Sequence, residues 1–123
     1  MEQTSQIRVL VVDNDQTILT ILEEFLALSD YEVNTAATGL DALKLLRNGD
    51  YGLLLTDIVM PDISGLGLIE IARKEFPGLP IIAMTGYSKQ VKNLASEQSP
   101  DYYLEKPFNL KMLADIIESV LHK

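Results

Sequence analysis

Short apolar runs alternate along the chain with longer segments in which apolar residues recur every three or four positions. The runs predict five strands, at Ile7–Val12, Glu32–Ala36, Leu53–Thr56, Pro80–Met84 and Tyr102–Leu104. The periodic segments predict five helices, at Gln16–Leu28, Asp41–Arg47, Leu66–Phe76, Lys89–Ser96 and Leu110–Leu121. This (βα)5 alternation predicts an α/β fold, a doubly wound parallel sheet with helices on both faces. For a chain of 123 residues the expected strand order is the flavodoxin-like 2-1-3-4-5.

Two of the predicted helices carry an apolar stripe that indicates their buried face. On the first helix the stripe consists of Ile18, Ile21, Leu22, Phe25 and Leu26. On the last helix it consists of Leu113, Ile116, Ile117 and Val120. The fourth helix is short and polar, so its packing is not predicted.

Composition narrows the class of protein. The chain has no cysteine, which excludes a disulfide framework and a thiolate metal site. No apolar run approaches the roughly 20 residues that span a bilayer, and the polar N-terminus does not resemble a signal peptide. We therefore expect a cytoplasmic protein that does not engage a membrane. The net charge of −8 argues against direct binding of nucleic acid, although some of the carboxylates could converge on a cation.

Polar residues follow four of the five predicted strands. They are Asp13-Asn14-Asp15 after the first, Asp57 after the third, Thr85-Gly86 after the fourth and Glu105-Lys106-Pro107 after the fifth. Because parallel strands end at the same edge of a sheet, we expect these side chains to meet in one crevice. Acids, a hydroxyl and one lysine at such an edge suit phosphoryl transfer to a carboxylate.

In this scheme oxygen atoms of Asp13, the Asn14 region and Asp57 would bind Mg²⁺, a hard cation that prefers a few carboxylates and water. Lys106 would neutralise phosphoryl oxygens, and Thr85 would donate a hydrogen bond to one of them. The remaining polar residues have plainer interpretations. Asp15 is expected to cap the first helix, Asp62 to be a loop residue beside Ser64-Gly65, and His122 to be solvated.

The motifs resemble those of the receiver domains of two-component response regulators, especially the single-domain chemotaxis and sporulation regulators. The segments that carry the resemblance are Val9–Asp15, Leu55–Gly65, Ile81–Gly86 and Tyr103–Phe108. They are spread over the whole chain, so residues 1–123 are expected to form one receiver domain without an output domain. The chain either acts alone or is a fragment of a larger regulator.

The resemblance implies a role for each site residue. Asp57 would accept a phosphoryl group from a sensor histidine kinase or a histidine phosphotransfer protein, with catalytic assistance from Thr85 and Lys106. Thr85 and Tyr103 would form the conformational switch. The Mg²⁺ ligands would be Asp13, Asn14, Asp57 and the backbone carbonyl of Val59.

Further expectations follow from the same resemblance. The Lys106-Pro107 bond would be cis. Phosphorylation would reshape the face formed by the predicted fourth helix, fifth strand and last helix, where a downstream target or an output domain would bind. Three lysines place positive charge on that face, namely Lys89, Lys92 and Lys111. Such a module is a signalling phosphoacceptor and not an enzyme.

Three features depart from the family pattern. Asn14 replaces the second acid, which predicts weaker Mg²⁺ binding. Ser99-Pro100-Asp101-Tyr102 replaces a common Gly-Ala pair, which predicts an unusual or mobile fourth helix. Apolar Val59 and bulky Tyr87 stand where polar groups often assist water, which predicts slow autodephosphorylation.

Two other functions fit parts of the sequence. Asp13-Asn14-Asp15-Gln16-Thr17 matches the DxDxT pattern of haloacid-dehalogenase-type phosphatases, in which Asp13 would be the nucleophile. That family's closing acid cluster after the lysine is missing. A pseudo-receiver, which would bind partners without productive phosphorylation, is favoured only by Asn14.

Overall fold

The computed structural model describes residues 6–60, 62–86 and 100–122. Its strands are β1 (Arg8–Val12), β2 (Glu32–Ala36), β3 (Leu53–Asp57), β4 (Ile81–Thr85) and β5 (Tyr102–Glu105). Its helices in these ranges are α1 (Gln16–Leu28), α2 (Gly39–Arg47), α3 (Gly65–Glu75) and α4 (Leu110–Leu121). The helix predicted at Lys89–Ser96 lies outside the described residues. Within the described part of the chain, no helix has the length and apolar character needed to cross a membrane.

All five strands pair in parallel, in the order β2-β1-β3-β4-β5. The predicted flavodoxin-like order is therefore confirmed. Val12 pairs with Thr56, Asp57 with Met84, and Thr85 with Glu105. This register brings the carboxyl ends of β1, β3, β4 and β5 to one edge of the sheet.

Three strands, β3, β4 and β5, extend one residue beyond their predicted ends. Asp57 and Thr85 are the last residues of β3 and β4, because backbone pairing continues past the apolar run. The Ile58 N–H donates to the Met84 carbonyl, and the Lys106 N–H donates to the Thr85 carbonyl. Asp57 and Thr85 are thus held by the sheet itself.

The sheet separates two apolar cores. Alternate residues of the central strands point to opposite faces, so Leu54 packs under α2 and α3, whereas Leu55 packs under α1 and α4. Both faces are covered, which is why β3 and β4 are buried along their whole length.

The predicted buried face of α1 is partly wrong. The residues that are buried are Leu19, Leu22 and Leu26, whereas Ile21 is 47% exposed. The helix carries apolar residues on more than one side, so its pattern does not specify which side meets the sheet. The buried face predicted for α4 is confirmed, since Leu113, Ile116, Ile117 and Val120 are all buried.

Candidate functional site

Two acidic side chains are buried together at the carboxyl edge of the sheet. Asp57 ends β3 and is 7% exposed, and Asp13 directly follows β1 and is 1% exposed. Burial raises the pKa of Asp57 above its usual value, and the negative charge of Asp13 raises it further. The positive charge of Lys106 and the nearby backbone N–H groups of Val59 and Ile58 lower it only in part.

Lys106 lies between the two carboxylates. Its Nζ is 2.9 Å from Asp13 Oδ2 and 3.6 Å from Asp57 Oδ1. The residue follows β5, and its backbone N–H donates to the Thr85 carbonyl at 2.8 Å, which fixes where its side chain starts. The Lys106-Pro107 bond is cis, as the resemblance implies. One cation is therefore shared by two buried anions.

The turn between β1 and α1 holds Asp13 from its other side. Asp13 Oδ1 accepts the Asp15 N–H at 2.9 Å, and Asp15 Oδ1 accepts the Thr17 N–H at 3.0 Å. Asp15 is the N-cap of α1, so its predicted role is confirmed. Asn14 lies between the two acids and is exposed.

Thr85 and Tyr103 lie on neighbouring strands. Thr85 is fully buried, and Tyr103 pairs with Ala83 on β4. The Tyr103 hydroxyl is already buried, and it has no hydrogen-bond partner among the residues that the structure describes. Burial raises the pKa of this hydroxyl.

Val59 lies two residues after Asp57, and its side chain projects outward, 55% exposed. The loop that carries it returns tightly to α3. The Gly65 N–H donates to the Ile58 carbonyl at 2.6 Å, and a Cβ on Gly65 would overlap the Asp57 carbonyl oxygen. Gly65 therefore allows the close approach that joins the end of β3 to the start of α3.

Asp62 is a loop residue, as predicted, but it also makes two hydrogen bonds to α2 that were not predicted. Its Oδ1 accepts the Gly39 N–H and its Oδ2 accepts the Leu40 N–H, both at 3.1 Å. These bonds lower the pKa of Asp62. The partners are more than 20 residues away in sequence, so no local pattern predicts the contact.

Other predicted residues lie apart from this site. His122 is exposed, as expected, with its Nε2 3.7 Å from Glu118 Oε1. Asp101 lies at the opposite edge of the sheet, where it binds Arg73. Tyr87, Lys89, Lys92 and Ser99 lie outside the described residues, and so does the predicted change in the fourth helix.

The donor set at the carboxyl edge fits Mg²⁺. Two adjacent carboxylates belong to Asp13 and Asp57, and Mg²⁺ commonly binds one or two carboxylates together with water. Over residues 6–60, 62–86 and 100–122, no group of three or more acidic, His or Cys side chains is placed to hold a metal. This agrees with an amide, Asn14, at the position of the second family acid.

Comparison with known proteins identifies the family. The chain matches the response regulator receiver domain over residues 9–118. It belongs to this family. Receiver domains are signalling phosphoacceptor modules of response regulators in two-component systems and are generally non-catalytic.

The curated relatives are longer proteins. The receiver domain is 36% identical over 115 residues to the DNA-binding transcriptional regulator NtrC of Azospirillum brasilense, covering 93% of this chain and 24% of NtrC. It is 40% identical over 121 residues to the two-component response regulator ARR11 of Arabidopsis thaliana, covering 95% of this chain and 23% of ARR11. The chain therefore spans about a quarter of the length of these two relatives.

Solved structures agree with the fold. A CheY-like receiver domain protein from Methanospirillum hungatei JF-1 has a TM-score of 0.88 and 37% identity, covering 95% of this chain and 94% of that one. The response regulator TrrA from Thermotoga maritima has a TM-score of 0.87 and 38% identity, covering 94% of this chain and 100% of that one. The TrrA structure is a complex with Mg²⁺-BeF. These matches give no support to the phosphatase alternative.

Proposed function

We propose that this receiver domain is a phosphorylation switch in which Asp57 accepts a phosphoryl group from the phosphohistidine of a histidine kinase or phosphotransfer protein. The observation that supports this most directly is the pair of buried carboxylates, Asp57 and Asp13, sharing the single cation of Lys106. In the transfer, the donor's N–P bond breaks and a bond forms between phosphorus and a carboxylate oxygen of Asp57. The imidazole is the leaving group.

Asp13, Asp57, the Asn14 side chain and the Val59 carbonyl would hold Mg²⁺. When bound, the metal supplies positive charge that offsets the charge of the phosphoryl oxygens. The Mg²⁺-BeF complex of TrrA supports this assignment by analogy. The loss of one charge at Asn14 leads us to propose weaker Mg²⁺ affinity than an acid there would give.

Lys106 contributes the protein's own positive charge. Its Nζ is already close to Asp57 and would pair with a phosphoryl oxygen, which stabilises the negative charge that the transfer brings to the site. The Thr85 hydroxyl would hydrogen-bond to a second oxygen from the end of the adjacent strand. Thr85 is the last residue of β4 and Lys106 directly follows β5, so the sheet positions the backbone from which both side chains extend.

Phosphorylation adds about −1.5 to −2 charge at the edge of the sheet. Movement of Thr85 toward that charge would free space beside Tyr103 and shift the balance between conformations of the β5 and α4 surface. This surface, with exposed Lys111, would bind a target protein or an output domain. The domain would work in the cytoplasm together with its kinase, without binding nucleic acid itself.

The pseudo-receiver alternative rests on Asn14. One experiment distinguishes the proposed phosphorylation switch from the pseudo-receiver and from the phosphatase. The protein would be incubated with Mg²⁺ and acetyl phosphate, and the phosphorylated residue mapped by mass spectrometry. We expect one phosphoryl group on Asp57, none on Asp57→Asn, and normal labelling of Asp41→Asn, an exposed acid outside the site. Labelling of Asp13 would indicate the phosphatase chemistry. Absence of labelling, together with no response to Mg²⁺ and beryllofluoride, would indicate a pseudo-receiver.

A further inference from the structure

Asp62 joins the loop after the phosphoacceptor to the start of α2. Its two carboxylate oxygens accept the N–H groups of Gly39 and Leu40, the first two residues of the helix. The helix also has an ordinary N-cap, since Thr38 Oγ1 accepts the Asp41 N–H at 3.1 Å. Asp62 therefore adds a second cap, which comes from a different part of the chain.

The packing between Gly39 and Ile63 supports the same contact between the loop and α2. Gly39 lies against Ile63, and a Cβ added at Gly39 would come within 2.8 Å of the Ile63 Cβ. The absence of a side chain at Gly39 lets the loop approach α2 closely enough for the two hydrogen bonds of Asp62. A carboxylate at the N-terminus of a helix is also favoured by the helix dipole.

The loop between β3 and α3 is thus held in two places. The two ends of the loop are held together, because the Ile58 carbonyl accepts the Gly65 N–H and the Ile58 N–H donates to the Met84 carbonyl. In its middle, Asp62 ties it to α2. Val59 lies between these points, with its own side chain 55% exposed, so its peptide groups are positioned by the backbone on either side and not by contacts of the Val59 side chain.

We propose that Asp62 is a positioning residue for the metal site, which holds the Val59 carbonyl toward the Mg²⁺ position by fixing the loop on α2. This inference rests on the proposed function, because it requires the Mg²⁺ site at Asp13 and Asp57. Asn14 increases its importance. With one carboxylate fewer to attract the cation, binding depends more on ligands that are oriented in advance.

The test measures Mg²⁺ affinity by calorimetry for the wild type, Asp62→Ala and Asp62→Asn. We expect the alanine variant to bind Mg²⁺ about 10-fold more weakly, the lower end of the loss found when groups that orient metal ligands are removed. Asp62→Asn, which retains one acceptor oxygen, should lie between it and the wild type. Hydrogen exchange should become faster at the Gly39 and Leu40 amides in Asp62→Ala.

Two matched controls separate positioning from helix capping and from charge. Thr38→Ala removes a cap from the same helix without touching the loop, and Asp41→Asn removes a charge from the same helix end. Both should change the Mg²⁺ affinity by less than about twofold, because neither removes a hydrogen bond between Asp62 and α2 and because the charge of exposed Asp41 is screened by salt. The effect of Asp62→Ala should persist at 0.5 M salt, whereas an effect of charge alone would fade.

Three results would overturn the inference. The first is a Mg²⁺ affinity of Asp62→Ala equal to that of the wild type. The second is a loss of Mg²⁺ affinity in the two controls as large as that in Asp62→Ala. The third is a loss in Asp62→Ala that disappears at 0.5 M salt. If any of these occurs while the wild type binds Mg²⁺ and is phosphorylated on Asp57, the proposed function stands and only the role of Asp62 fails. A wild type that neither binds Mg²⁺ nor accepts phosphate would contradict both.

Discussion

The two edges of the sheet use charge in different ways. At the amino edge, Arg73 donates to the Leu79 carbonyl at 2.7 Å and to Asp101 Oδ2 at 2.8 Å, and that same oxygen accepts the Ile81 N–H at 2.8 Å. At the carboxyl edge, Asp13 and Asp57 share Lys106. Among the residues that the structure describes, one acid pairs with one base at the amino edge, whereas two acids share one base at the carboxyl edge.

This difference indicates what each edge is for. Arg73 and Asp101 form a partly buried pair of opposite charges that also hydrogen-bonds to the backbone of Leu79 and Ile81, so it joins α3 to β4 with its two charges balanced. When Asp13 and Asp57 are both ionised, this described cluster with Lys106 carries one negative charge in excess, at a buried position that disfavours it. A divalent cation would offset this excess charge, in agreement with the phosphoacceptor function that we propose.

The largest predicted effect concerns the shared lysine. Lys106→Gln should slow phosphorylation of Asp57 by acetyl phosphate about 100-fold, because removal of one preorganised group that stabilises transition-state charge commonly has an effect of this size. The rate would be measured by intact-protein mass spectrometry. Lys111→Gln, at a lysine whose side chain is 87% exposed, is the control and should react normally. An equal rate for Lys106→Gln and the control would show that the carboxyl edge does not use this charge.

The next effect is on stability at the opposite edge. Arg73→Ala should lower the free energy of unfolding by about 2 kcal/mol, because it leaves a partly buried Asp101 and the Leu79 carbonyl without their strong donor. Urea unfolding followed by circular dichroism would measure this. Arg47→Ala breaks the exposed pair with Glu75 and should leave the urea midpoint nearly unchanged. The phosphorylation rate of folded Arg73→Ala should equal that of the wild type. A large fall in this rate would contradict separate roles for the two edges.

The third effect is a dependence on pH. The raised pKa of Asp57 means that the folded protein holds this proton more tightly than the unfolded chain does. Ionisation of Asp57 therefore destabilises the fold above its folded pKa, and this penalty is lost as the pH falls toward the ordinary Asp value of about 3.9. The stability advantage of Asp57→Asn should accordingly be largest near neutral pH and shrink on acidification. An advantage that grows at low pH would contradict the burial of an unfavourable charge.

The smallest effect concerns the buried hydroxyl of Tyr103. Tyr103→Phe should raise the free energy of unfolding by about 1 kcal/mol or less, because it removes a buried hydroxyl that has no partner among the described residues. Thermal unfolding would measure this. Tyr51→Phe is the matched control, since the Tyr51 hydroxyl bonds to Asn34 Oδ1 at 3.1 Å and its loss should not stabilise. A destabilised Tyr103→Phe would show that the hydroxyl is satisfied after all.

The carboxyl edge could be predicted from sequence because each of its residues lies next to a strand that is recognisable as a short apolar run. Each strand is an apolar run, each functional side chain lies at or just after its end, and parallel pairing brings the ends together. The sequence pattern therefore predicts the positions of four residues at this edge, namely Asp13, Asp57, Thr85 and Lys106. The predicted ends of β3, β4 and β5 are each one residue short, because backbone pairing does not stop where polarity begins.

Long-range contacts could not be predicted in this way. Asp62 lies in a loop, as predicted, but its contacts with α2 were not predicted, because Gly39 and Leu40 precede it by more than 20 residues. The pairing of Arg73 with Asp101 spans 28 residues and leaves no local pattern. The buried face of α1 was misassigned for a related reason, since Leu19 and Ile21 are equally apolar and only the packing of α1 on the sheet decides between them.

The most direct test of the contrast is the same substitution at both edges. The free energies of unfolding of the wild type, Asp57→Asn and Asp101→Asn would be measured in urea at pH 7 without Mg²⁺, since bound metal would stabilise the wild type selectively. Asp57→Asn should be more stable than the wild type by about 1 kcal/mol, because it removes the excess buried charge. Asp101→Asn should be less stable by about 1 kcal/mol, because it weakens charge-assisted hydrogen bonds. Shifts in the same direction would contradict the view that the amino edge is electrostatically complete and the carboxyl edge is not.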